Sequence, residues 1–256
     1  MRSSLFALAV ALAVAAPAAA QTQDSRIFAN VNFGFQAQGQ DFTQAAELPL
    51  YDEIGNWEAA HSIDGGPFFE IGGGYRILRN VSVGVAYSAR TGDSRDVTVN
   101  ASVPSPIFTD TFRAASASVS GLEHTEQAFH VQALWHVPVT VEFDVTLFAG
   151  PTFFRVKDDL IASVEPVEVG GDFSTVNLQS ISIAEQKNTT TGFHLGIDTR
   201  YMFMRSVGFM RNIGAGAMLR YSRGSVDIDA PAGSGTGSTS IDVGGLELGV
   251  GLRFMF

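Results

Sequence analysis

Alternation of apolar and polar residues is the dominant pattern in this chain, and it is clearest at the end. From Leu246 to Phe256 every even position is large and apolar, whereas the odd positions are Glu, Gly, Gly, Arg and Met. A period of two residues predicts a β-strand with one apolar face. Seven earlier stretches alternate similarly: 26–37, 67–78, 81–90, 126–137, 140–156, 190–203 and 213–222. The chain is therefore predicted to be all-β.

The connections between these eight stretches are short and long in turn. Short turns are expected at 78–80, at 138–139 and within 204–212, where the similarity of 209–213 to 77–81 places the turn at Arg211–Asn212. Long loops are expected at 38–66, 91–125, 157–189 and 223–241. This plan predicts an eight-stranded antiparallel up-and-down transmembrane β-barrel with long extracellular loops at one mouth.

Part of the second long loop also alternates. Val97, Val99 and Ala101, and later Ala115, Ala117 and Val119, predict a hairpin that extends the third and fourth strands above the membrane.

Aromatic residues on the apolar faces sort into two heights once strand directions follow from the loop plan. Between them lie mainly aliphatic residues and glycine, as expected for aromatic belts at two membrane interfaces. The expected belt near the long loops contains Phe35, Phe69, Tyr87, Phe129, Phe153, Phe193 and Tyr221, and the other contains Tyr75, Trp135, Phe143, Tyr201, Phe203, Phe254 and Phe256.

The N-terminus predicts export. Arg2 precedes an apolar stretch from Leu5 to Ala16, and Ala18 and Ala20 form a small-residue cleavage pattern. Residues 1–20 are therefore predicted to be a cleaved signal peptide, and residues 21–256 the barrel domain.

Composition narrows the class of protein. Charged residues are 16% of the chain, below the roughly 25% of ordinary soluble domains. The absence of cysteine excludes a lipoprotein, disulfides and cysteine-bound metal. A formal net charge of −10 argues against nucleic acid as a partner.

A soluble barrel of the lipocalin kind is the main alternative fold, because it alternates with its apolar face inside. Its outer face would then be mostly Gly, Ser and Thr with few Lys and Glu. Such a face is poorly suited to water, so the sequence favours the membrane.

With these features the chain resembles the small bacterial outer-membrane barrels of the OmpA transmembrane-domain, OmpX and OmpW kind. The signal peptide, the eight alternating segments and the ending 250–256 carry the resemblance. It implies a monomer in outer-membrane lipid and lipopolysaccharide. It also implies that the barrel-assembly machinery recognises the C-terminal signal Leu252, Phe254 and Phe256.

The inward face of the predicted barrel carries charges of both signs. With eight strands the lumen is just wide enough for side chains to fill it, and buried charges there must be paired or hydrated. We therefore expect a polar plug, with a gate that passes small solutes as the alternative. The predicted network contains Glu70, Arg76, Asp144, Asp198, Arg200, Arg220, Glu247 and Arg253, and Arg90 shares its face.

Candidate chemistry is sparse. His130 and His136 are too far apart on one strand to bind one metal ion, so lumen hydrogen bonds are expected for them. His61-Ser62 and His124-Thr125 are the candidates for a lipid-A-modifying enzyme, but no catalytic motif surrounds them. The sequence therefore predicts no enzyme, no cofactor and no metal. It favours a structural or surface-interaction protein, with passage of small or hydrophobic solutes as the alternative.

Overall fold

The computed structural model describes residues 26–37, 39–93, 96–207, 210–229 and 238–256, so the predicted signal peptide lies outside the described residues. Within these ranges twelve strands follow one another. They are β1 Ile27–Gln36, β2 Gln40–Leu50, β3 Glu53–Ile63, β4 Pro67–Arg76, β5 Val81–Asp93, β6 Val97–Pro104, β7 Phe112–Val119, β8 Glu123–Pro138, β9 Phe143–Val169, β10 Thr175–Val207, β11 Met210–Asp229 and β12 Ser238–Met255.

Eight of these strands close into an antiparallel barrel in the order β1-β12-β11-β10-β9-β8-β5-β4. The C-terminal strand completes the ring by pairing with β1, in a register that places Leu252 opposite Val31. All eight segments chosen from their alternation belong to this ring, which confirms the predicted fold class.

The apolar face of the barrel points outward. Leu248, Val250 and Leu252 are 59%, 63% and 47% exposed, whereas Glu247 and Arg253 of the same strand are buried. This orientation contradicts the alternative of a soluble barrel with an apolar interior. Among the described residues, no helix is long and apolar enough to cross a membrane.

Two of the long connections form a second sheet, in the order β2-β3-β6-β7. The predicted hairpin of Val97 and Val119 exists as β6 and β7. The expectation that it extends the third and fourth barrel strands is wrong, because β6 pairs with β3 instead. This arrangement buries the apolar row of β6 against Trp57, which an isolated two-stranded hairpin could not do.

The third long connection is a tall hairpin. The β9–β10 ladder runs from Tyr201 opposite Phe143 up to Thr175 opposite Val169, with register shifts near Leu178 and Ser182. The sheet and this hairpin enclose one apolar core made of Ala46, Leu48, Trp57, Ala59, Val97, Val99, Ala101, Val103, Ala115, Leu122, Ile161, Val164 and Val176.

Two turns differ from their predicted positions. The turn at Arg211–Asn212 is wrong, because the ladder continues through Arg205 opposite Asn212 to Val207 opposite Met210. A register shift beyond Met202 allows this continuation, which local similarity to 77–81 does not reveal. The turn expected at 138–139 is longer than predicted. It occupies residues 139–142 between β8 and β9, and the amide of Thr140 donates to Phe143 O.

Candidate functional site

We call the part of the barrel between the two aromatic belts the membrane band. We call the region above it the cap: it consists of the second sheet and of the upper parts of β8–β12. The level of Tyr87, Phe129 and Phe153 marks its lower boundary. Those three aromatic residues lie opposite one another on β5, β8 and β9 and are 39%, 43% and 47% exposed. The interior of the membrane band and the cap are the two candidate sites.

A group of linked ion pairs around Arg220 occupies the centre of the lumen. Its Nε donates to Glu247 Oε2 at 2.6 Å, and its Nη1 donates to Glu70. Glu70 also accepts from Asn32 Nδ2 at 2.8 Å. These side chains come from β11, β12, β4 and β1, and all are almost fully buried. Arg220 and Glu247 meet because the β11–β12 register pairs them directly.

Asn32 connects this group to a second ion pair. Arg253 Nη1 donates to Asn32 Oδ1 at 2.6 Å, and Arg253 Nε donates to Asp198 Oδ2 at 3.0 Å. Arg200 and Asp144 form a third pair across the β9–β10 ladder, at 2.9 Å from Nε to Oδ2.

Seven of the eight predicted lumen residues thus lie in these three groups. Arg76, the eighth, lies half-buried at the lower end of β4, and the ion pairs found among the described residues do not include it.

The lumen also contains an apolar cluster that the sequence analysis missed. Phe28, Phe68, Leu134, Phe148 and Met218 are buried together inside the band. A shared strand parity with Glu70 and Asp144 marks Phe68 and Phe148 as inward residues, so this signal was present in the sequence.

Inward glycines make room for these aromatic rings. A Cβ at Gly74 would lie 2.5 Å from Phe28, and one at Gly34 would lie 2.6 Å from Phe68. A Cβ at Gly196 would likewise come within 3 Å of the ring of Phe148. The glycines therefore line recesses that are filled by rings. A lumen cavity beside Arg200 and Met218 has a volume of ≈ 30 Å³.

Three of the histidines are hydrogen-bonded in the lumen. His136 contacts Ser82 Oγ at 2.7 Å and Thr146 Oγ1 at 2.8 Å. His130 contacts Ser88 Oγ at 3.1 Å and Thr152 Oγ1 at 2.9 Å.

Thr152 also contacts His194 Nδ1, while His194 Nε2 has no hydrogen-bond partner among the described residues. These contacts agree with the expectation of lumen hydrogen bonds. The described residues contain no group of three or more His, Cys, Asp or Glu that could hold a metal ion.

A buried polar cluster lies in the lower part of the cap, on β5, β8 and β9. His124 contacts Asp158 Oδ1 at 2.5 Å and Arg90 Nη2 at 3.1 Å, and Arg90 also pairs with Glu126 at 3.3 Å. Arg90 Nη1 donates to Asp64 O at 3.2 Å and so ties the barrel to the segment that leads out of the cap.

An apolar region overlaps this level, because Ala128 and Phe154 lie below His124 and Asp158 on β8 and β9 whereas Leu160 lies above them. Ala128, Phe154, Val156, Leu160, Val226, Ile241 and Val243 form its core, and Phe42 of β2 packs against it. Gln44 joins the two walls of the cap, because it donates to Ile161 O at 2.7 Å and accepts from Ile161 N at 3.1 Å.

His61 is a buried titratable group in this upper region, and its ring stacks on an aromatic side chain. Its ring lies parallel to Phe42 with centroids 4.5 Å apart, and Nε2 lies 3.3 Å from Gln44 Oε1. Burial lowers the pKa of His61 from 6.5 to about 4, despite the opposing charge of Asp158. We therefore treat His61 as a neutral group of the cap core at neutral pH.

An apolar outer band, two aromatic belts, a filled polar lumen and a closed sheet define an integral β-barrel of an outer membrane. Residues 6–254 match the family model described as the outer membrane protein beta-barrel domain. The chain belongs to this family and is a protein of the bacterial outer membrane.

Solved structures of similar fold are also outer-membrane proteins. The N-terminal barrel domain of Pseudomonas aeruginosa OprF is 11% identical, with a TM-score of 0.41, and the match covers 91% of this chain and 98% of that one. OprG from the same organism is 10% identical over 91% and 96%, with a TM-score of 0.45.

The outer membrane protease OmpT from Escherichia coli is 9% identical over 93% and 100%, with a TM-score of 0.48. No curated protein sequence matches the chain.

Proposed function

We propose that this protein is a non-conducting barrel whose role is to hold the cap above the outer membrane as an interaction surface. The observation that carries this proposal is the filled lumen. Arg220, Glu70 and Glu247 are 1%, 1% and 4% exposed and occupy its centre. For water and ions to pass such a group the ion pairs must separate, which leaves buried charges unpaired at a cost of several kcal/mol.

The cap supports the second half of the proposal. Its residues form a core of their own, Gln44 joins the second sheet to β9, and Arg90 of β5 connects the barrel to the segment after β3. Binding residues are commonly carried on connections held by a rigid scaffold. A cap of this kind keeps its outer residues in fixed positions.

Conductance tests the filled lumen. Purified protein in planar lipid bilayers is expected to give no steady current, whereas steady porin-sized currents would overturn the proposal. The same recording tests solute passage, because a gate would produce discrete openings. The double variant Arg220→Met/Glu247→Gln keeps the net charge unchanged and would make such openings more frequent.

Catalysis is not part of the proposed function. The Ser88–His130 and Ser82–His136 pairs are buried in the lumen, and a threonine hydroxyl occupies the far side of each ring where a triad has a carboxylate. His61 and His124 are likewise buried. We expect a fluorophosphonate probe to leave the folded protein unlabelled; labelling that Ser88→Ala abolishes would show a reactive serine.

Export, lipid and assembly partners complete the proposal. Cleavage of the signal peptide is expected to leave a mature chain that begins at Gln21. The intact mass of the purified protein tests this expectation. The exposed apolar band supports contact with outer-membrane lipid and lipopolysaccharide as a monomer, which light scattering in detergent can test. Phe256→Ala is expected to slow insertion by the barrel-assembly machinery, and unchanged insertion would argue against Leu252, Phe254 and Phe256 as its signal.

A further inference from the structure

Three turns of the cap meet at one end, which we call the distal tip: the residues around Tyr51–Asp52, 105–111 and 170–174. Tyr51 Oη donates to Glu168 Oε1 at 3.1 Å, and the amide of Asp110 donates to Glu53 Oε1 at 2.9 Å. Arg113 pairs with Glu168 and also donates to Phe173 O at 2.9 Å. These contacts join the three turns into one surface.

The distal tip exposes large apolar side chains far from the lipid. Val169, the last residue of β9, lies sixteen residues beyond Phe153 of the upper belt, roughly 50 Å along the strand. Hydrocarbon therefore does not cover the tip. Its exposed apolar residues are Tyr51, Ile54, Ile107, Phe108, Phe112 and Phe173, at 49%, 63%, 54%, 66%, 48% and 38%. Several large apolar side chains exposed to water in one region of a protein mark an interaction surface.

The backbone provides a second, independent observation. The non-glycine residues with positive φ in the described chain are Tyr51, Asp52, Asp110 and Phe173, at 52°, 59°, 59° and 55°. All four lie in the turns of the distal tip. Bulky residues rarely adopt this conformation, and it concentrates at binding sites where the surroundings enforce it. Here it holds two aromatic side chains at the surface.

The charge of the distal tip indicates the chemistry of its partner. Segments 48–57, 103–114 and 165–178 contain six carboxylates and one guanidinium, and Glu168 neutralises that Arg113. An acidic rim repels polyanions and also a second copy of the same tip, whereas it attracts a basic surface.

We infer that the distal tip binds a cationic amphipathic polypeptide segment, and this inference depends on the proposed interaction role of the cap. The apolar face of the segment packs on Ile54 and Phe108, and its basic residues pair with the carboxylates of the rim. Apolar anchors at the centre supply most of the affinity, whereas rim charges mainly set association rate and selectivity.

Peptide binding to the full-length protein in lipid nanodiscs tests the inference. The probe is a synthetic amphipathic helix of leucine and lysine, compared with the same helix in which glutamate replaces every lysine. We expect the lysine peptide to bind at least about tenfold more tightly. Equal binding of the two peptides would overturn the inference.

Paired variants separate the two contributions. Ile54→Ser/Phe108→Ser is expected to weaken binding of the lysine peptide about tenfold or more. Asp52→Asn/Asp110→Asn is expected to weaken it several-fold and to reduce its dependence on salt. Asparagine tolerates positive φ, so this variant preserves the turns.

Matched controls lie outside the distal tip. Val141→Ser changes an exposed apolar residue at the opposite end, and Asp227→Asn removes an exposed carboxylate from the side of β11. Both are expected to bind like wild type. Equal losses in the controls, or wild-type binding by both tip variants, would overturn the inference. A non-conducting barrel that fails to bind the lysine peptide overturns this inference alone, whereas steady conductance overturns the proposed function.

Discussion

The membrane band and the cap share strands, yet the two faces of those strands have opposite roles in the two regions. On β11, outward Ala217, Leu219 and Tyr221 are followed by outward Arg223, Ser225 and Asp227. The inward face changes in the opposite sense, from Arg220 and Ser222 to Gly224 and Val226.

β9 shows the same exchange, since inward Asp144 and Thr152 give way to Phe154, Val156 and Leu160, and the one inward carboxylate among them, Asp158, is paired with His124. Hydrocarbon surrounds the lower part and water the upper, so each face changes its chemistry where the surroundings change.

The largest expected effect comes from removing the central lumen charge. Arg220→Met leaves Glu70 and Glu247 buried without their counter-charge, which is expected to cost about 3–5 kcal/mol. Arg223→Met, three residues along the same strand, breaks only an exposed pair with Asp242, and its cost is expected to stay below about 1 kcal/mol. Urea unfolding in lipid vesicles measures both; equal losses would mean that the lumen is as solvated as the outer surface.

Lysine on the outward face locates the boundary between the two regions. Leu219→Lys places a charge in hydrocarbon and is expected to cost about 2–4 kcal/mol. Ser225→Lys on the same face lies above the membrane, where we expect a change within about 0.5 kcal/mol. The two free energies of unfolding, measured in the same vesicles, should differ clearly. Similar values would place residue 225 in lipid or residue 219 in water.

Acid is expected to weaken the cap through His61. Because the folded-state pKa is lowered from 6.5 to about 4, the unfolded chain binds the proton more readily. Stability is therefore fully present above pH 6.5 and falls as pH decreases from 6.5 towards 4.

The loss is expected to reach about 2 kcal/mol at pH 5. Subtracting the pH profile of His61→Gln from that of wild type isolates this contribution. Parallel profiles would show that His61 stays hydrated in the folded cap.

The smallest expected effect lies at the junction of the two regions. Ser222 Oγ is buried and has no hydrogen-bond partner among the described residues. Ser222→Ala removes this unsatisfied group and is expected to stabilise the barrel by up to about 1 kcal/mol. Ser88→Ala breaks a hydrogen bond with His130 and is expected to destabilise it by about 1 kcal/mol. Unfolding midpoints that shift in the same direction would contradict this distinction.

Much of the band could be predicted from sequence because each position there depends on a local pattern. Alternation identified all eight barrel strands and the inward position of Arg220. It could not show that Arg220 bridges Glu70 and Glu247, which are 150 and 27 residues away along the chain. Such contacts depend on strand register and on the order in which β4, β11 and β12 meet.

The cap was harder to predict for the same reason. Residues 157–189 contain many polar residues on both faces and therefore resemble a loop. They form a ladder because β9 and β10 continue the pairing that begins at Phe143 and Tyr201 inside the membrane. The β3–β6 pairing joins two connections that are separate in sequence, and only their common core beneath Trp57 makes it favourable.

The sequence by itself determined the class of the protein, the eight spanning strands and the outward direction of Leu248, Val250 and Leu252. A period of two residues and the chemistry of lipid contact are local properties, so one chain is enough to show them. Only the tertiary structure decided that glycines and rings fill the lumen together, that two connections pair into a sheet, and that three turns form one acidic and apolar tip. These features depend on distant segments meeting in one register, because burial and charge pairing act between residues that are near in space rather than along the chain.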